Sequence, residues 1–133
     1  MIRTLILASL LAAPAGAETL CDRLDALDGT VLELAQGAAD CRESLALGGA
    51  RSFHCFLAFE YRSDAAIEAF EDIVTEVTAC IGPMAIIKTD QSVNHPDAYD
   101  LREFQTGARS YAVSIKDKGA LQQTLVFVRV SRP

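Results

Sequence analysis

Imidazole is scarce in this chain: the only histidines are His54 and His95, so any mechanism resting on that group must use one of them. Other signatures are missing altogether. No Gly-x-Ser-x-Gly elbow presents a nucleophilic serine, and Ser52 and Ser114 read as outward polar positions of strands. There is no P-loop, no dinucleotide fingerprint and no Cys-x-x-Cys-His for haem attachment. No two cysteines form Cys-x-x-Cys, which argues against thioredoxin-like redox chemistry. Their spacings of 20, 14 and 25 residues do not supply the paired close ligands of a zinc ribbon. The 18 acidic residues are scattered, and no pair stands out for glycosidase chemistry. The sequence therefore assigns no catalytic residue and no resident cofactor. Beyond the N-terminus no apolar run is long enough to cross a bilayer.

What is present begins with export. Met1-Ile2-Arg3 carries one positive charge, an apolar run follows from Thr4 to Ala13, and Pro14-Ala15-Gly16-Ala17 precedes Glu18. That three-part pattern predicts a signal peptide over residues 1–17, with Ala15 and Ala17 suiting the small-residue cleavage site. Cys21 follows Thr19-Leu20 rather than a small residue, so lipidation is not expected and the product has no membrane anchor. Without a twin-arginine pair, the expected route is general secretion, into a bacterial periplasm or the medium, with folding after export.

Cleavage removes Arg3 alone among charged residues, so 12 basic and 18 acidic residues become 11 and 18, a formal charge of −7. An acidic chain this small is a poor candidate for nucleic acid or an anionic membrane; if it has a protein partner, that partner is expected to be exported and basic. Residues 18–133 are expected to make one domain burying about two-thirds of its unfolded surface.

Cys21, Cys41, Cys55 and Cys80 all lie in the mature part, an even count that predicts two disulfides in an oxidising compartment. From Glu18 to about Gly37, Leu20, Leu24, Leu27, Val31 and Leu34 recur at helical spacing, with Asp28-Gly29 as a break into two pieces. Cys41–Leu47 and Arg51–Arg62 flank Gly48-Gly49 as a hairpin. Phe53, Cys55, Leu57, Phe59 and Tyr61 form the apolar face of its second arm. Ser63 or Asp64 caps a helix with Ile67, Phe70, Ile73, Val77 and Ile81 along one stripe, stopped by Gly82-Pro83. A short strand over Met84–Asp90, a polar loop to Tyr99, and strands near 100–106, 109–116 and 121–130 complete the chain. The last of these is apolar on both faces, hence either central and covered on both sides or part of an interface. The fold class is α+β: an antiparallel sheet of about four to five strands, with the main helix on one face and an N-terminal helix elsewhere.

Cys55 lies about eight residues, roughly 26 Å, back from the turn at Ser63, and Cys80 about seventeen helical residues, also roughly 26 Å, forward of it. That parity favours Cys55 with Cys80 and leaves Cys21 with Cys41. The competing arrangement joins Cys41 to Cys55 across the hairpin.

Two functional expectations follow. The first is a non-enzymatic binding, interaction or inhibitor-like accessory module that presents an acidic face and the 90–100 loop to a basic partner. The second is a metal-binding protein or small metal-dependent hydrolase, because Asp90, Asn94, His95, Asp97 and Asp100 offer one nitrogen and several oxygens in that loop. Asn94-His95-Pro96-Asp97 is also ordinary turn vocabulary. Tyr61, Tyr99 and Tyr111 with Arg109 offer the lining of a groove, although aromatics at strand spacing are more often core. Intact mass of the protein recovered from the periplasm should show Glu18 as its first residue and no thiol that reacts without reduction.

Overall fold

The computed structural model describes residues 18–45, 47–82, 86–91 and 98–133; the segment read as a signal peptide lies outside them. Seven strands form a single antiparallel sheet. They are β1 (Val31–Leu34), β2 (Gly37–Leu45), β3 (Arg51–Glu60), β4 (Ile86–Asp90), β5 (Tyr99–Thr106), β6 (Arg109–Lys118) and β7 (Gln123–Arg132). Their order is β1-β2-β3-β7-β6-β5-β4. The α+β class holds, with seven strands in place of four to five.

One of the additional strands arises in residues 18–37. Only Leu20–Asp25 is helical (α1), started by a reciprocal cap in which Thr19 Oγ1 accepts from the Asp22 amide at 3.1 Å and Asp22 Oδ2 accepts from the Thr19 amide at 3.0 Å. Past Asp28-Gly29 the period changes from helical to two, with Leu32 and Leu34 buried and Val31 and Glu33 exposed. The second piece of the expected helix is therefore β1. It turns through Ala35-Gln36 into β2, where Gly37, at φ +138°, takes a backbone angle that side chains resist.

The hairpin at Gly48-Gly49 forms as expected, both glycines having φ +82°. In the β2–β3 register Cys41 lies directly opposite Cys55, and these two are bonded, with Cα atoms 4.0 Å apart. Cys21 is bonded to Cys80 across 6.0 Å between Cα atoms. The favoured pairing of Cys55 with Cys80 is thus wrong. Equal path lengths bring two thiols level only if a helix doubles straight back over the strand it left. The helix α2 (Asp64–Ile81) instead links β3 to β4, on the far edge of the sheet, and packs on β6 and β7 as well as β3. Its last turn comes to lie against α1, where Cys21 waits.

Ser63 caps α2, its Oγ accepting from the Ala66 amide at 3.3 Å, and Gly82 closes it at φ +90°. The helix buries Ala66, Ala69, Phe70, Ile73 and Val77 against Phe53, Cys55 and Leu57 of β3, Val126, Val128 and Val130 of β7, and Tyr111 and Val113 of β6. Strand β7 is central, bonded to β3 on one side and β6 on the other. Among the described residues only one of its faces is covered: Thr124, Val126, Val128 and Val130 are buried, while Leu125 and Phe127 on the opposite face are half-buried.

α1 is held to the sheet by its C-terminal end. Arg132 donates to the carbonyls of Leu24, Asp25 and Leu27, with its guanidinium over the Phe53 ring. A cation at a helix C-terminus answers both the free carbonyls and the dipole. On the same patch Asp25 accepts from the Tyr111 hydroxyl at 2.6 Å and from Arg109 at 2.8 Å.

Two predictions follow. Peptide mapping should return Cys21–Cys80 and Cys41–Cys55. The sequence separations are 59 and 14 residues. By the chain-entropy model, removing the first bond should therefore cost about 4 kcal/mol and removing the second about 3 kcal/mol in denaturant melts. Second, burial above all, and then the bond to Asp25, push the Tyr111 phenol up from 10 to about 12. A raised pKa means its contribution to stability is complete below pH 10 and is lost as pH climbs through about 12. Tyr111→Phe should flatten the fall in unfolding midpoint across that window.

Candidate functional site

Where β3 ends, the chain turns sharply through Tyr61-Arg62 into α2, and Arg62 sits at φ +55°, an unusual angle for a residue with a side chain. A polar network holds it there. The Arg62 amide donates to Thr124 Oγ1 at 2.8 Å, the Thr124 hydroxyl donates to Asp117 Oδ1 at 2.8 Å, and Arg62 Nε donates to Asp117 Oδ2 at 3.3 Å. Thr124 is 1 % exposed and Asp117 7 %. A buried carboxylate costs dearly unless it is satisfied, and these bonds satisfy it. The Asp117 amide also donates to the Ala98 carbonyl at 3.0 Å, which fixes the chain entering β5.

Above this network opens a cavity of about 450 Å³, within the range of small-ligand sites. Its apolar wall is Ile67 on α2, Ile115 on β6, Ala98 and Tyr99, and its polar edge is Arg62, Ser63, Gln91, Asp100, Asp117 and Thr124. Ile67 is 47 % exposed here, on an α2 position that the core does not use. Two carboxylates and one guanidinium line the space, and that guanidinium is already engaged by Asp117. The Tyr99 phenol is raised, chiefly by burial and then by nearby Asp90; in the strand register it belongs to the face away from α2, with Leu101 and Glu103.

Of the residues proposed from sequence for the 90–100 loop, Asn94, His95 and Asp97 lie outside the described residues. Asp90 and Asp100 are brought onto adjacent strands but not together. Asp90 is opposite Leu101 in the β4–β5 register, one residue on from Asp100, so the two carboxylates belong to opposite faces of the sheet. Asp100 is engaged by Arg102 and accepts from Gln91 Nε2 at 3.2 Å. Among the described residues no three of His, Cys, Asp and Glu gather as a metal would require.

A second hollow, of about 330 Å³, lies on the face away from α2 and is lined by His54, Lys88, Glu103, Phe127 and Arg129 among others. His54 lies on this face, opposite in direction to Cys55, as its strand position predicts. Its Nε2 is 3.3 Å from Ser52 Oγ, which lies 2.9 Å from Ser131 Oγ. The pair resembles half of a nucleophile–base arrangement. Yet burial, then the charge of Arg129, hold the imidazole below its usual pKa. A carboxylate that would orient a catalytic base is replaced there by a cation.

Arg62, Asp117 and Thr124 were not legible as a site in the sequence, where Asp117-Lys118-Gly119 reads as a turn. The signal was available: extending the Tyr111, Val113, Ile115 alternation by one step puts Asp117 on the buried face.

Comparison with protein-family models, with curated proteins and with solved structures finds no match for the chain. The fold itself defines an α+β protein carrying two disulfides, which belong to an oxidising environment outside the cytoplasm. Among the described residues no helix is long and apolar enough to cross a membrane.

Proposed function

We propose that this is a non-catalytic binding module of the bacterial periplasm, released from its signal peptide after residue 17, that takes up a cationic, partly apolar group of a partner in the cavity beside Ile67. The observation that carries the reading is the cavity's make-up: an apolar wall beside Ile67 edged by the acceptor oxygens of Asp100 and Asp117, Asp117 bonded to Arg62 and Asp100 to Arg102, with the acidic outer surface of α2 adjoining. Such a site accommodates an aliphatic stem that ends in an ammonium or guanidinium, the shape of a lysine or arginine side chain.

The surroundings support the same sign of charge. The outer surface of α2 carries Asp64, Glu68, Glu71, Asp72 and Glu76, and the helix contains no basic residue. Of these acids Glu76 meets Arg23 at 3.8 Å. A field of this kind speeds the approach of a basic partner and sorts it from an acidic one. The cavity also lies between the first turn of α2 and the two described ends of the 90–100 loop, Gln91 and Ala98. That is the region the sequence offers to a basic partner.

The test uses two peptides of equal length, one alternating leucine with lysine and one alternating leucine with glutamate, titrated calorimetrically into the mature, oxidised protein. The lysine peptide should bind and the glutamate peptide should not. Affinity for the former should fall roughly tenfold between about 0.01 and about 0.15 M salt. Ile67→Arg, a change at an exposed position, should weaken binding by a further tenfold or so without altering the melting temperature. Equal binding of both peptides, or binding indifferent to Ile67→Arg, would sink the reading.

A further inference from the structure

We propose that the face of the sheet turned away from α2 is a two-fold interface between two copies of this chain. An antiparallel sheet can leave one face to water, but such a face is then polar. This one is apolar at its centre. The β3–β7 register pairs Phe56 with Phe127 and Ala58 with Leu125, in the middle of the seven strands. The two phenylalanine rings are tilted at 46° with centroids 6.4 Å apart. Farther out, Val31 on β1 is 49 % exposed on the same face.

Charge on the face is divided about that apolar centre. The β1–β3 side carries Glu33, Asp40 and Glu60 against Arg42, a formal −2. The β7–β4 side carries Arg129, Lys116, Lys118 and Lys88 against Glu103 and Asp90, a formal +2. The face as a whole is neutral, although the mature chain has a formal charge of −7. A neutral face split into two halves of opposite sign is complementary to itself.

Only one kind of two-fold axis uses that complementarity. An axis in the interface and across the strands would lay acidic half on acidic half. An axis parallel to the strands, between β3 and β7, lays the acidic half of one copy on the basic half of the other. It also keeps strand directions within the roughly 30° favoured by aligned sheet packing. It stacks Phe56 on the partner's Phe127 and Ala58 on the partner's Leu125, turns Glu60 toward the partner's Lys118, and turns Arg42 toward the partner's Glu103. His54 would meet the partner's Arg129 as a neutral ring, since its own surroundings already disfavour its charged form. The contact is isologous and closes, so it yields a dimer and not a fibre. Ile67, Asp117 and Thr124 of the proposed cavity take no part, and the cavity remains open on the other side of the sheet.

Sedimentation velocity across a concentration series, on the mature oxidised protein, tests the proposal. The wild type should dimerise, and Phe127→Glu, which puts a charge at the apolar centre, should leave monomers with unchanged far-ultraviolet dichroism and both disulfides intact. Because Phe127 is half-buried, a second pair of variants guards against misfolding. Glu60→Lys should raise the dimer dissociation constant about tenfold, and Glu60→Lys with Lys118→Glu should return it to near the wild-type value. A wild type that stays monomeric at all concentrations, or a dimer indifferent to Phe127→Glu, overturns the proposal. So does a double variant no better than Glu60→Lys alone, because the axis would then be wrong.

Discussion

The ladder between β3 and β7 joins two structures that are otherwise separate. On one side, β1, β2 and β3 pair with each other through short hairpins; on the other, β4, β5, β6 and β7 form a meander. Within the sheet only the ten register pairs from Arg51↔Arg132 to Glu60↔Gln123 connect them. Everything else follows from that seam. It lets one helix cover Phe53, Val128 and Val113 from three adjacent strands, places Phe56 beside Phe127 on the outer face, and brings Arg132 to the carbonyls that end α1. The cavity lies at one end of the seam, where Thr124 pairs with Phe59 and with Asp117.

Much of this was legible in the sequence because it rests on local periodicity. The helix from Ser63 to Gly82 and the strands around Phe53, Tyr111 and Val128 carry long, regular patterns, and regular burial follows. The segment Val31–Leu34 was not legible. Four residues hold too few repeats to separate a period of two from one of 3.6, and Leu27, Val31 and Leu34 satisfy the helical spacing by accident. The disulfide pairing failed for another reason. Path length along the chain fixes how far a cysteine travels, whereas the angle at which a helix crosses a sheet decides where it arrives, and that angle depends on the strand to be reached next. Here the next strand is β4, four places away. The Arg62–Asp117–Thr124 network was hidden because its members are 55 and 7 residues apart and meet only through pairing across β6 and β7.

The two surfaces of the sheet obey different electrostatic rules. Over the helical layer the outer charge is nearly all of one sign, which opposes self-association and favours contact with cations. Over the bare face the signs balance but are sorted by strand, so the face has a dipole in place of a net charge. On the reading proposed above, the first arrangement would select a partner by charge and the second by orientation as well, and the two contacts would not interfere, because α2 and the sheet separate the surfaces.

The order of elements along the chain also bears on when the fold can form. β7 follows every other element, yet it occupies the middle of the sheet. A polypeptide threaded N-terminus first, whether from a ribosome or through a translocation channel, can assemble the hairpin of β2 and β3 and even close its cross-strand disulfide while the rest is still arriving. The two parts of the sheet have no shared edge until the final strand emerges. Joining the two parts of the sheet therefore waits on β7, as a zip fastens only when its slider is supplied.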